Sequence, residues 1–379
     1  MTDAKNIITI NGNRFSFEPG ETILEVAERN GIHIPTLCYL KGATPTGSCR
    51  ICLVEVEGAR TLVASCAAPA APGMSVQTES PRVVKARRLN LELLLASGHH
   101  NCIAQGMDEE EWTDFQLRAM APGEHQDLCP AYGDCRLQDL AIKYRVRTNR
   151  FTPTHTPYPI EDVNPFIVRD FSRCILCGRC VQACTEVQVN NAISFGYRGA
   201  AAKIVATGDR ALKDSDCVFC GECIQACPVG ALIPKKDLEL KIPSTETRKV
   251  RTTCTYCGVG CQIYLHVADN RVVKVTGVEE TGPNYGSLCV KGRFGYDFIH
   301  DEGRLKTPLI KENGEFREAS WDEALSLVAE KLGGIKKTAG PDAIMVLTSA
   351  RTTNEENYIA QKFTRAAIGT NNIDHCARL

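Results

Sequence analysis

No stretch of this chain approaches the roughly 18 consecutive apolar residues that a membrane-spanning helix needs. The opening residues Met1 to Asn6 carry no apolar core of the kind a secretory signal requires. Charge of one sign is not in excess either: 44 basic residues stand against 45 acidic ones, a net charge of −1. Such a balance gives no footing for nucleic acid or an anionic membrane surface. Arg87-Arg88 resembles a twin-arginine signal in letters alone, because it lies far from the start. The glycines of Cys257-Gly258-Val259-Gly260-Cys261 belong to no strand–GxGxxG–helix unit, so neither a nicotinamide nor a flavin site is read from them. What is present in excess is cysteine, 20 in 379 residues. In the reducing cytoplasm these absences imply, thiolate–metal sites rather than disulfides are the expected use.

The cysteines are patterned. The spacing C-x2-C-x2-C-x3-C occurs twice, as Cys174, Cys177, Cys180, Cys184 and as Cys217, Cys220, Cys223, Cys227. At this cysteine content, three more at fixed offsets from a given one would coincide with a chance of about 10⁻⁴, so the doubled run is no accident. Three thiolates two residues apart wrap one iron–sulfur cube, and the fourth, further along, reaches the neighbouring cube. The runs are therefore expected to bind two [4Fe–4S] clusters, one on Cys174, Cys177, Cys180 and Cys227 and one on Cys217, Cys220, Cys223 and Cys184. Pro228 follows the second run as in bacterial ferredoxins, whereas Thr185 follows the first. A pair of structural zinc sites is the alternative, but zinc pairs are commonly separated by longer insertions.

Upstream, Asn11-Gly12 marks a hairpin within Asn6 to Glu18, and Thr22 with Glu25 forms a capping box for a helix reaching Gly31. A loop with Cys38, Cys49 and Cys52 follows, then a strand from Leu53 to Glu57, a turn at Gly58, and Cys66. This order is that of a β-grasp ferredoxin. It resembles the [2Fe–2S] module at the start of the electron-input subunits of respiratory NADH dehydrogenases and soluble NAD-linked enzymes, although C-x10-C-x2-C-x13-C needs a longer first loop than plant ferredoxins have. Gly42 and Gly47 let backbone N–H groups turn toward the sulfurs. Ser80-Pro81 opens a further helix with Val84, Leu91, Leu94 and Leu95 as its apolar stripe and Gly98 at its end.

The same subunits carry at this point a cluster held by one His and three Cys. Here His99 or His100, Cys102, Cys129 and Cys135 match that set, with the acidic segment between Gly106 and Leu128 displacing the third ligand to Cys129 and Gln105 standing where it is usually found. His99 is favoured over His100. A proline-rich stretch from Thr148 to Pro165 links this part to the doubled run, and Arg248 to Arg251 reads as a solvated linker.

Cys254-x2-Cys257-x3-Cys261 with Cys289 gives a fourth cubane site. Together with Lys291-Gly292-Arg293-Phe294 and the tail Asn371 to Leu379, it resembles the N-terminal iron–sulfur domain of molybdenum or tungsten bis-pterin oxidoreductases, and among them the formate dehydrogenases. That resemblance implies that Lys291 lies between cluster and pterin and assists electron passage; a nearby cation lowers the energy of an added electron. In the tail, Ser320 and Glu323 cap a helix carrying Leu325, Val328, Ala329 and Leu332, and Ala343 to Leu347 reads as a buried strand. The polar loop from Thr348 to Asn354 suits the phosphates of a pterin nucleotide. Nineteen cysteines thus become ligands, leaving Cys376 as a packing residue.

The expected architecture is α+β and multi-domain: a β-grasp [2Fe–2S] ferredoxin (1–80), a His/Cys [4Fe–4S] module (81–150), a double-cubane ferredoxin module (165–240), a [4Fe–4S] pterin-enzyme domain (247–303) and the start of a molybdopterin-oxidoreductase α/β domain (304–379). Cofactors are one [2Fe–2S], four [4Fe–4S] and a molybdenum or tungsten bis-molybdopterin guanine dinucleotide. The resemblance implies a cytoplasmic, NAD-linked formate dehydrogenase subunit converting formate to CO2 and passing electrons to a flavin- and NAD-binding iron–sulfur partner or to ferredoxin. The family's metal ligand, cysteine or selenocysteine, follows the Ala377-Arg378-Leu379 motif, so the catalytic residues are expected just after Leu379, with a selenocysteine codon read as a stop. The alternatives are a non-catalytic electron-transfer chain, or the large iron–sulfur subunit of an NADH dehydrogenase or iron–iron hydrogenase complex. The first fits this chain taken alone. The hydrogenase would not continue into Cys254 to Cys289, and the NADH dehydrogenase subunit lacks the tandem run.

Overall fold

Asn11 and Gly12 both adopt positive φ, 50° and 84°, and so make the tight primed turn that joins β1 (Ile7–Ile10) to β2 (Asn13–Ser16). The computed structural model describes residues 6–97, 131–146, 150, 151, 158–240, 242 and 244–376. They fall into two compact units, Met1–Thr247 and Arg248–Leu379.

In the first unit, α1 (Ile23–Arg29) starts at the Thr22–Glu25 capping box and buries Ile23, Leu24, Val26 and Ala27. With β3 (Leu53–Val56), β4 (Val63–Ala64) and β5 (Ser75–Gln77), the hairpin builds a five-stranded sheet in the order β2-β1-β5-β3-β4, whose central β1–β5 pair is parallel. Ile8, Ile10, Val54 and Val76 from the sheet and Ile23, Leu24 and Val26 from the helix form one core, to which the buried Cys52 and Cys66 also belong.

Ser80 caps α2 (Pro81–Ala96). The residues this helix buries completely are Val83, Arg87, Leu91 and Leu95, while Val84 and Leu94 of the expected stripe are half-buried. The face is thus turned by about one residue, and a charged side chain sits in the middle of it. Leu91 and Leu95 pack against α3 (Arg136–Lys143), which buries Leu137, Leu140 and Ala141. His99, His100, Cys102 and Cys129 lie outside the described residues.

β6 (Ile167–Arg169) pairs antiparallel with β9 (Leu232–Pro234), closing the doubled cysteine run into a loop between them. Within it lie α4 (Arg179–Gln182), which continues as one π-helical turn to Val187, the hairpin β7 (Ile193–Gly196) and β8 (Lys203–Ala206), and α5 (Glu222–Ala226). Arg169, 3 % exposed, is neutralised by Glu161 at 2.5 and 3.0 Å. A short helix α6 (Lys235–Leu240) follows.

The second unit opens with an antiparallel sheet of β10 (Arg248–Thr253), β11 (Gln262–Ala268) and β12 (Arg271–Gly277). The segment Arg248 to Arg251 is therefore an edge strand rather than a linker, with Arg248, Lys249 and Arg251 exposed. α7 (Val290–Phe294) packs on β12. Beyond the hairpin β13 (Leu309–Glu312) and β14 (Glu315–Glu318), α8 (Trp321–Ala339) is capped by Ser320 as expected. The capping box is only half made, because the Glu323 carboxylate turns to Arg317 at 2.5 Å. No residue of α8 is buried among the described residues, and Leu325 and Val328 are exposed. The following strand is β15 (Val346–Thr348), later and shorter than the sequence suggests. It pairs in parallel with β16 (Ile373–His375) across the crossover helix α9 (Asn354–Lys362), with Leu347 exposed and Ile344 buried ahead of the strand. No described helix is long and apolar enough to cross a membrane.

Two glycines of this unit should respond oppositely to alanine. A Cβ on Gly277 would meet the Gly286 carbonyl oxygen at 1.9 Å, backbone against backbone, whereas one on Gly333 within α8 meets nothing within 4 Å. Gly277→Ala is expected to destabilise the unit by about 1–3 kcal/mol. Gly333→Ala should stabilise it by about 0.5–1 kcal/mol. Thermal unfolding of the full chain reads both signs; an unchanged midpoint for Gly277→Ala would contradict the close approach.

Candidate iron–sulfur centres

The two cysteine runs fold as near copies. In each, the second residue after the first Cys takes positive φ (Leu176 at 52°, Phe219 at 53°), and its amide donates back to that first Cys, Leu176 to Cys174 Sγ and Phe219 to Cys217 Sγ, each at 3.4 Å. The fifth residue is then a left-handed glycine, Gly178 or Gly221, from which α4 or α5 starts. Ala192 N donates to Cys184 Sγ at 3.3 Å. Amides aimed at sulfur are what a cluster-bound thiolate needs to spread its charge.

All eight cysteines of the doubled run line one cavity, bordered by apolar residues such as Ile175, Ile193, Ile204 and Leu212. Burial pushes Cys174 up to about 11, Cys177 up to about 12, and Cys180 well above the ordinary thiol range. These thiols therefore stay protonated until a strongly positive partner draws the protons off, which iron does on binding. Among the described residues no three His, Cys, Asp or Glu side chains close around a single ion. The thiols surround a space instead, as the ligands of a polynuclear cluster do, so the residues fit the iron–sulfur groups expected of them.

Cys38, Cys49, Cys52 and Cys66 also come together. Cys52 Sγ and Cys66 Sγ are 3.3 Å apart, and the Cys49 amide points at Cys38 Sγ at 3.5 Å. Hydrogen bonds from Cys49 and Cys66 hold Cys38 far below the usual thiol range, and the same contacts push those two up; Cys66 likewise brings Cys52 down to about 7. The four thiols thus stand within reach of one another, two of them favoured as thiolates and two as thiols, a donor set that suits a two-iron cluster. Gly42 and Gly47 have φ of 82° and 58°, and Arg50, between two of the cysteines, also has positive φ.

The loop between Cys38 and Cys49, longer than in plant ferredoxins, rests on the helix that carries Cys180 and Cys184. The Arg179 guanidinium donates to the Tyr39 carbonyl at 2.9 Å, the Thr44 amide donates to Glu186 at 2.8 Å, and the Gln182 amide donates to the Thr44 carbonyl. Cys49, Cys135, Cys174, Cys177 and Cys227 all border a single apolar core built from Leu37, Ile51, Leu91, Leu137 and Ile175. Of the His/Cys set, Cys135 alone is described; it precedes α3, and the Arg136 amide donates to the Pro228 carbonyl at 2.9 Å.

In the second unit Cys254 is buried, Cys257 and Cys261 are half-buried and Cys289 is exposed. The Cys254 amide donates to the Cys261 carbonyl at 2.8 Å, which brings the loop back on itself. Gly292 lies directly against this sulfur: a Cβ there would sit 3.6 Å from Cys254 Sγ, in ordinary van der Waals contact. Lys291, next to Cys289 on α7, is exposed. Asn354, first residue of α9, donates to the Gly258 carbonyl at 2.6 Å and so ties the cysteine loop to the polar loop after β15.

Four family descriptions match the chain in order: "2Fe-2S iron-sulfur cluster binding domain" over residues 5–81, "4Fe-4S dicluster domain" over 173–231, "Molybdopterin oxidoreductase Fe4S4 domain" over 247–301 and "Molybdopterin oxidoreductase" over 304–379. Taken in order, these matches give the chain iron–sulfur domains followed by the start of a molybdopterin-oxidoreductase domain. Among curated proteins, the chain is 33% identical over 417 aligned positions to "Putative formate dehydrogenase YrhE" of Bacillus subtilis (strain 168), an alignment that covers 100% of this chain and 40% of the relative. It is 31% identical over 411 positions to "Probable oxidoreductase YjgC" of the same organism, covering 99% and 39%. A Staphylococcus aureus (strain USA300) protein also named a putative formate dehydrogenase is 29% identical, covering 98% and 39%. The chain thus spans about two fifths of the length of these relatives. Among solved structures, a chain from "Crystal structure of NAD+-reducing [NiFe]-hydrogenase in the H2-reduced state" matches with a TM-score of 0.51 and 35% identity, over 61% of this chain and 88% of that one.

Cys376 departs from expectation. It is exposed rather than packed, with Sγ 3.2 Å from Ser349 Oγ at the end of the β15–β16 pair. The Ser349 hydroxyl, and after it the Ala350 amide and Arg351, hold this thiol below its ordinary value of 9.0. At pH 7 its thiolate fraction therefore exceeds that of a free cysteine, and Ser349→Ala, by raising the pKa, should slow its alkylation. Iodoacetamide labelling followed by mass spectrometry checks this; an unchanged rate at Cys376 would contradict the hydrogen bond's role.

Proposed function

We propose that this chain is the electron-conducting, pterin-binding part of a formate dehydrogenase whose electrons pass to an NAD-reducing partner. The observation that carries the reading is the union, in one polypeptide, of domains like those of an NAD-reducing hydrogenase chain with molybdopterin-oxidoreductase domains, matched over its whole length by relatives named formate dehydrogenase.

The cysteines would hold five clusters. The [2Fe–2S] site takes Cys38, Cys49, Cys52 and Cys66; the first cubane takes Cys174, Cys177, Cys180 and Cys227; the second takes Cys217, Cys220, Cys223 and Cys184. Cys254, Cys257, Cys261 and Cys289 form the site nearest the pterin, and His99, Cys102, Cys129 and Cys135 the remaining one. When bound, these groups supply one-electron carriers, and a pterin-held molybdenum or tungsten supplies an acceptor for the electron pair released as formate loses a proton and becomes CO2.

The polypeptide's part is to hold the sites close and dry. Arg179 joins the peptide after Cys38 to the residue before Cys180, and the apolar core shared by Cys49, Cys135, Cys174, Cys177 and Cys227 excludes water between sites. These contacts favour the first cubane as the neighbour of both the [2Fe–2S] site and the Cys135 site. Lys291 would supply positive charge between the last cubane and the pterin. A flavin- and NAD-binding iron–sulfur subunit is the expected partner, with ferredoxin as the alternative, and the cytoplasm is the compartment that suits this chemistry. The module boundaries are read as 1–80, 81–150, 165–240, 247–303 and 304–379.

Two measurements test this. The enzyme purified anaerobically with its metal and clusters should reduce NAD⁺, or a viologen dye, on addition of formate; clusters that dithionite reduces but formate leaves oxidised would leave electron transfer alone. Spin–spin broadening of the reduced [2Fe–2S] signal should disappear in Cys227→Ser and persist in Cys184→Ser. The reverse pattern would overturn the assignment of neighbours.

A further inference from the structure

Arg87 has no part in the reading above, yet it is fully buried in the middle of α2. Its Nε donates to the Ile51 carbonyl and one terminal nitrogen to the Leu53 carbonyl, both at 2.9 Å, so the guanidinium grips the peptide on either side of Cys52. The other terminal nitrogen donates to Glu79 at 2.6 Å and to the Tyr144 hydroxyl at 2.8 Å. Tyr144 closes α3, the helix that begins at Cys135. One side chain therefore braces the Cys49–Cys52 loop against the element leading from Cys135.

The charges around it are unequal in their surroundings. The Arg87 side chain is 0 % exposed, whereas that of Glu79 is 45 % exposed. Water screens the carboxylate and not the guanidinium, so the positive charge dominates the field inside the protein. Adding one electron to a [2Fe–2S] centre makes the site more negative by one charge, and a buried cation beside it stabilises that reduced form.

We propose that Arg87 is a positioning residue of the [2Fe–2S] site, and that its buried charge raises the site's reduction potential as well as fixing the Cys52 loop. This rests on Cys38, Cys49, Cys52 and Cys66 holding a [2Fe–2S] cluster. Glu79, as the counter-charge, then acts in the opposite sense: it lowers the potential.

The test is a mediated redox titration of the full chain with its clusters, following the [2Fe–2S] electron paramagnetic resonance signal at a temperature where the cubane signals have relaxed away. Arg87→Gln is expected to lower the midpoint, Arg87→Lys to keep it nearer that of the unaltered chain, and Glu79→Gln to raise it. A merely structural brace would change cluster occupancy, read as iron per chain, without moving the midpoint of the clusters that remain. Equal midpoints for Arg87→Gln, Glu79→Gln and the unaltered chain, or shifts of the same sign in both variants, would overturn the proposal. Should Arg87→Gln lose the cluster, Glu79→Gln decides, since it leaves the guanidinium in place. An unaltered chain without any [2Fe–2S] signal overturns the site assignment and this inference together, whereas a signal that does not shift overturns the inference alone.

Discussion

Desolvated sulfur is the constraint on which the first unit depends. Eight thiols around one cavity, four of them pushed up in pKa by burial, are a poor filling for a protein interior until something positive enters. Hydrocarbon would pack better there, and the short helices α4 and α5, four and five residues long, could not persist on propensity. Metal–thiolate sites contribute on the order of 10 kcal/mol each, comparable to a domain's whole net stability. The irregular loops, the π-helical turn and the left-handed Leu176 and Phe219 follow from wrapping sulfur around a rigid polyhedron rather than from satisfying a helix or sheet.

Much of this was legible because iron–sulfur ligation is local in sequence. Fixed spacings announce the doubled run, and Asn11-Gly12, Thr22 with Glu25, and Ser80-Pro81 announce the hairpin and two helix starts, all of which form. What stayed hidden is what depends on distant partners. Arg248 to Arg251 looks like a solvated linker because its charges are exposed, but its backbone finds β11. Glu323 has the right offset for a capping box and loses it to Arg317. Cys376 is a packing residue by elimination and an exposed thiol by position. Apolar periodicity placed α8 without revealing that its stripe faces outward among the described residues.

Arg87 is the clearest case of a signal present and set aside. Two adjacent arginines invite a reading as an export signal or as surface charge, and neither reading asks where each side chain points. On α2, successive residues are about 100° apart, so Arg87 enters the core while Arg88 lies at its edge and reaches the Tyr144 carbonyl at 2.9 Å. The spacing Val83, Arg87, Leu91, Leu95 is a strict i, i+4 row, and it would have flagged a charge in line with the apolar face.

The edge strand β10 has a bearing on how such a chain survives its own synthesis. A small three-stranded sheet with a free edge is a template onto which any extended segment can add, and a cysteine-rich chain awaiting its metal has many such segments. Arg248, Lys249 and Arg251 stand exposed along that edge. An incoming strand would have to strip hydration from three cations within four residues, which disfavours pairing along that edge.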